Sequence, residues 1–233
     1  MKNFDLMAIL LNGEFSAMLL KGIRMTLQIA AGSWFLAMSL ALVLLVVRLT
    51  PSRLAQCTVA AYVSYHRNVP TLVQLMLWYF GISSLLPTEL QGWLSEHNGE
   101  ALFAIIALGL CQAAYFSEDL RSGLRSIPDG QSEAARALGH SYLSAMRYVI
   151  LPQAVRNAVP ALVNHSVSLF KNSSLAMAIG VAELTHAVKE IESQSFRTFE
   201  AYLIATVLYL AFSLLIMAGG AWLSRRYSIA GAR

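Results

Sequence analysis

Charge is scarce in this chain. Asp, Glu, Lys and Arg make up 13% of its 233 residues, about half the ~25% typical of soluble domains. That is too little to clothe a water-soluble fold of this size. The two cysteines, Cys57 and Cys111, have neither a CxxC spacing nor a histidine at metal-ligand spacing, which argues against a disulfide or a zinc site. Both lie in apolar surroundings and are expected to be buried, inert thiols. The five histidines show no HExxH pattern, and no GxxxxGKS/T loop is present, so no phosphate cradle of the P-loop kind is available. No nucleophile–base pair stands out, and the chain is not expected to be an enzyme. The net charge of +4 is spread without a dense basic patch, which argues against nucleic acid as a partner. Repeats, low-complexity tracts and flexible linkers are also missing, leaving one domain over residues 1–233.

What the chain has is hydrocarbon: 57% of residues are hydrophobic and the mean hydropathy is +0.56. The fold class that follows is an all-α membrane protein with about five spans, each needing ~20 apolar residues. The expected spans are 26–47, 54–86, 101–120, 151–181 and 202–223. Pro51 in "RLTPSR" ends the first. The second is too long for one straight helix, and Pro70 is expected to kink or divide it. Pro152, Pro160, Asn164, His165, Lys171 and Asn172 interrupt the fourth. Gly219 and Gly220 in the fifth suit close packing. "MKNFDLMAILLNGEF" is too short to span and lacks a cleavage site. It is expected to be a retained interfacial helix with Phe4, Met7, Leu10 and Leu11 on one side.

Orientation follows from Lys and Arg in the short loops. Arg48 and Arg53 flank the first loop, Arg121, Arg125, Arg136, Arg147 and Arg156 lie in or beside the third, and Arg225, Arg226 and Arg233 close the chain. "PTELQGWLSEHNGE" has none. Five spans then place the N-terminus outside and the C-terminus in the cytoplasm. Leu184, Val188, Ile191 and Phe199 suggest an amphipathic helix at the outer surface.

The cytoplasmic loop 126–154, "SIPDGQSEAARALGHSYLSAMRYVILPQA", carries the most information. Pro128, Asp129 and Gly130 form a turn. Ser132 can cap a short helix, with Glu133 near its positive end. Ala134, Ala135 and Ala137 keep that helix thin, and Gly139 suits a left-handed cap. A second short helix follows, and Pro152 restarts the chain into the membrane. Such a thin helix suits a cleft on another protein; the alternative is a hairpin packed on its own bundle. In span four, Asn164, Ser168, Lys171 and Ser174 recur at helical spacing as a polar stripe, with His165 and Asn172 on a neighbouring one. Ionisable residues at such depth face a cavity or a partner. Lys171 could attract a carboxylate, with Asn172, Ser173 and Ser174 as neutral donors; the alternative is an ion pair, for instance with Glu118.

"GQSEAARALG" followed by "ILPQA" resembles the EAA loop of ABC-importer permeases. "AYFSEDLRSGLRSIP", "LFKNSSLAMAIGVAEL" and "YLIATVLYL" resemble the polar amino acid permease family, and "RNVPTLVQLMLWYF" with "FKNSSLA" is most similar to its glutamate/aspartate branch. The likeness runs from about Lys21 to Arg226. Ser117, Asp119 and Asn172 depart from the family pattern.

The resemblance implies a multi-pass permease of the bacterial inner membrane carrying an amino acid, glutamate or aspartate. It implies ATP-binding subunits, a second permease subunit (identical or paralogous) and an extracytoplasmic binding protein. ATP and Mg would be used by the ATPase, and no cofactor is expected on this chain. Gln131, Glu133, Ala134, Ala135, Leu138 and Gly139 would dock to the ATPase. The break from Arg67 to Pro70 would sit within the permease body, where protein buries irregular backbone. Arg67 would order a gate or balance Glu118 or Asp119, or else serve as a helix-end anchor. A stand-alone secondary transporter or channel is the competing class, since broken helices fit it too, but it needs no docking helix.

Overall fold

The computed structural model describes residues 4–226, and within them every regular element is helical. The elements are α1 (Met7–Leu10), α2 (Gly13–Leu49), α3 (Arg53–Asn68), α4 (Thr71–Met76), α5 (Thr88–Glu96), α6 (Gly99–Arg125), α7 (Asp129–Ala137), α8 (Tyr142–Ala145), α9 (Leu151–Asn172), α10 (Leu184–Ser195) and α11 (Thr198–Arg226). Arg233 lies outside the described residues.

Three helices, α2, α6 and α11, are long and apolar enough to cross a membrane. α6 is the hub. It packs on α2, α9, α3 and α4, and its middle is buried on nearly every side. α2 and α11 instead expose hydrocarbon: Leu20, Phe35, Leu42 and Val46 on one, Leu210, Leu214 and Leu215 on the other. A helix apolar all round suits lipid on its outer face. α2 has 37 residues, or ~55 Å at 1.5 Å per residue, well beyond a ~30 Å hydrocarbon core.

The second expected span is divided. α3 stops at Asn68, Pro70 adopts an extended conformation, and α4 continues through a π-helical turn (Leu77–Ile82) and a 3-10 turn (Ser83–Leu85). The fourth is less broken than expected. Pro160 lies inside α9 without ending it, and a π-helical turn (Met146–Ile150) joins α8 to α9 just before Pro152, which sits in the first turn of α9. The wider turn accommodates the missing N–H of the proline. After Asn172 the chain tightens into a 3-10 segment, Ser173–Ile179.

The N-terminal helix is a single turn, its first N–H groups received by Asp5 Oδ1 at 3.0 and 3.2 Å. Phe4, Met7, Leu10 and Leu11 are exposed while Ile9 is fully buried against Leu19, Leu184 and Ile191. α10 is amphipathic as expected, with its apolar face buried against α2 and α11. Phe199 belongs to α11 and is exposed. Cys111 is buried, but Cys57 is exposed, on the wall of an open groove that α3 forms with α2 and α6. Gly220 meets Val163 at close range, whereas Gly219 faces open space.

Candidate functional site

The loop after α6 is held close to the bundle by Gly123, where a Cβ would lie 2.4 Å from the Ala154 carbonyl oxygen. No other residue permits this approach of α6 to α9. α7 begins at Asp129, after an extended Pro128, so Ser132 is inside the helix and not its cap. The fixed backbone of Pro128 and the acid in the first turn set the start instead. At the other end Gly139 has φ +87°, its N–H donates to the Arg136 carbonyl (2.9 Å), and the His140 N–H donates to the Ala135 carbonyl (3.1 Å). This pair of bonds is the Schellman motif.

Gln131, Glu133, Ala134, Leu138 and Gly139 are exposed, Leu138 by 82%. Ala135 is not: it is 3% exposed and turns inward. Gln131 Oε1 also accepts from Gln153 Nε2 (3.2 Å), tying α7 to α9. Tyr142 and Leu143, just past the cap, are exposed and extend the apolar knob that Leu138 starts. Apolar residues shortly after a capping glycine mark both in the sequence, where the expected docking set stops at Gly139.

On α9, Asn164 and Lys171 are exposed, and Lys171 makes no ion pair among the described residues. Ser168 and Ser174 donate their hydroxyls to the carbonyls of Asn164 (3.1 Å) and Lys171 (2.7 Å). A hydroxyl spent on its own helix cannot serve as a donor to a ligand. Ser173 is fully buried and bonds the Phe170 carbonyl (2.6 Å). The stripe therefore offers Lys171 and Asn164, with the half-exposed Asn172 beside them, and Ser173 is not available as a donor.

Glu118 pairs with Arg48 of α2 and with Arg121, whose Nη2 lies 2.6 Å from Oε2. It does not pair with Lys171. Arg67 reaches neither Glu118 nor Asp119 as an ion pair; its guanidinium lies 5.5 Å from the Tyr115 ring centroid. Arg67 and Glu118 do share the wall of a cavity of about 350 Å³ with Arg48, Ser64 and Asn68. Asp119 Oδ2 sits 2.6 Å from His165 Nδ1, and Tyr115 stacks near the same imidazole at 5.1 Å. Both Asp119 and His165 stood out in the sequence as polar groups in apolar segments, but nothing there joined them. Ser117 is buried and satisfied by the Ala114 carbonyl (2.9 Å).

The break at Pro70 is sealed by Gln74, 1% exposed. Its Nε2 donates to the carbonyls of His66 (3.1 Å) and Val69 (2.8 Å), and its Oε1 meets His66 Nδ1 at 2.5 Å. Backbone acceptors freed by the break are thus paired within protein, as irregular backbone inside a membrane protein demands.

Residues 49–229 match the family model described as "Binding-protein-dependent transport system inner membrane component". Among curated relatives, the probable amino-acid permease protein YxeN of Bacillus subtilis (strain 168) is 42% identical over 148 residues, 64% of this chain and 63% of YxeN. The glutamate/aspartate import permease protein GltJ of Escherichia coli (strain K12) is 31% identical over 213 residues, 88% of this chain and 87% of GltJ. A solved structure described as an amino acid ABC transporter with histidines superposes with a TM-score of 0.83 at 28% identity, covering 96% of this chain and 99% of that one.

Proposed function

The chain belongs to the binding-protein-dependent transport system inner membrane components and is a permease subunit of an amino acid importer, and we propose that its cargo is glutamate or aspartate. In this reading α9 borders the path, α7 docks to an ATPase subunit, and a second permease subunit completes the channel. Family membership displaces the stand-alone transporter or channel, and the chain is not an enzyme. An extracytoplasmic binding protein delivers the cargo. Five spans would put the N-terminus outside and the C-terminus in the cytoplasm.

The observation that carries the cargo proposal is Lys171. It is exposed, has no carboxylate partner among the described residues, and sits where α9 tightens into the 3-10 segment. A cation at such depth needs a counter-charge, and a passing carboxylate supplies one. Arg67, at the edge of the polar cavity beside Glu118, adds to the positive potential.

The test is uptake by the complete importer in proteoliposomes with binding protein in excess. ATP-dependent uptake of glutamate and aspartate supports the reading. Uptake of arginine or a neutral amino acid alone sinks it.

A further inference from the structure

We propose that the groove between α2, α3 and α6, at the end of the bundle that carries α7, binds an anionic phospholipid. The groove has a volume of about 470 Å³ and two kinds of wall. Leu45 and Leu124 make an apolar side, and Arg48, Arg121 and Arg125 make a cationic rim.

The charges do not cancel. Arg48 and Arg121 share the single carboxylate of Glu118, and Arg125 makes no ion pair among the described residues. Three guanidiniums against one carboxylate leave two positive charges beside hydrocarbon. A soluble anion would match the rim but leave the apolar side wet. A zwitterionic lipid would cover the apolar side but bring its own cation to the rim. A diacyl lipid with a net-negative phosphodiester satisfies both, with the guanidinium fork presenting parallel N–H donors to phosphate oxygens. The position agrees, because Arg48 and Arg125 occupy the last turns of apolar helices, the level at which basic residues meet headgroups.

Cys57 lies on the groove wall and is exposed, while Cys111 is buried, so the protein carries its own reporter. The experiment is the rate of maleimide labelling at the peptide containing Cys57, measured on the complete importer in nanodiscs. Discs of phosphatidylcholine alone are compared with discs containing phosphatidylglycerol, and with phosphatidylcholine discs in excess inorganic phosphate. Phosphatidylglycerol should slow labelling severalfold and inorganic phosphate should not. An anionic surface alone also slows thiolate chemistry, so the decisive arm is Arg125→Gln. That variant should need roughly fivefold more phosphatidylglycerol for the same protection, while Arg125→Lys, which keeps the charge but loses the fork, falls between the two. Equal rates in both lipids, protection by inorganic phosphate, unchanged protection in Arg125→Gln, or no labelling in any disc would each overturn the assignment.

Discussion

Asp119 Oδ2 lies 2.6 Å from His165 Nδ1, and this contact joins α6 to α9 beside the polar stripe of the candidate path. Asp119 is 9% exposed, so its carboxylate depends on that partner. His165→Leu should lower stability by about 1–3 kcal/mol, the cost of stranding a buried polar group. Replacing both residues by Leu should cost less than His165→Leu alone. Thermal midpoints of the purified variants give the comparison, and additive losses would show that the pair is not coupled.

Gln74 closes the gap that Pro70 opens. Gln74→Leu keeps the volume near constant but strands the Val69 carbonyl and His66 Nδ1, and leaves the His66 carbonyl only the Cys111 thiol at 3.7 Å. A loss of about 2 kcal/mol or more is expected, since each buried orphan costs on the order of 1–3 kcal/mol. A thermal midpoint equal to the parent's would mean that water or lipid headgroups reach the break.

At Gly139, φ +87° excludes most side chains. Gly139→Val should cost about 1–2 kcal/mol locally and misplace Leu138, Tyr142 and Leu143, while Gly139→Asn should be milder. On the docking hypothesis, Gly139→Val and Glu133→Lys insert normally but lose ATPase association. Co-purification of either variant with the ATPase at full cargo-stimulated hydrolysis would remove α7 from that role.

Features set by one or two residues were legible in the sequence. Pro51 ends α2, Pro70 divides the second expected span, and Gly139 caps α7, because each acts through its own backbone. Pairings between distant residues were not legible. Glu118 finds Arg48, 70 residues away, and Asp119 finds His165, 46 away; no spacing rule connects them. Ser173, expected as a neutral donor beside Lys171, is buried for a different reason. α-Helical spacing does not give its direction, because at Ser173 the backbone tightens to about three residues per turn and the hydroxyl turns into the core. Cys57 looked buried because its neighbours are apolar, and apolar surface in this chain can remain outside.

The orientation hypothesis rests on the arginine distribution. Ser95 lies within the loop without Lys or Arg and is exposed, and Ser224 lies in the last turn of α11. Single cysteines at these positions, without Cys57 and Cys111, should label from opposite faces of intact cells. Labelling of both from outside would overturn the five-span arrangement.

The most direct measurement compares uptake of glutamate with uptake of a neutral amino acid in Lys171→Met and Asn172→Asp importers. If Lys171 meets the cargo carboxylate, Lys171→Met should reduce acidic uptake about tenfold or more, the worth of a charge-assisted hydrogen bond, and neutral uptake far less. Asn172→Asp, which places an opposing charge next in sequence, should act in the same direction more weakly. Assembly with the ATPase should be intact in both. Unchanged glutamate uptake in Lys171→Met, or equal loss for both cargo classes, would contradict the account.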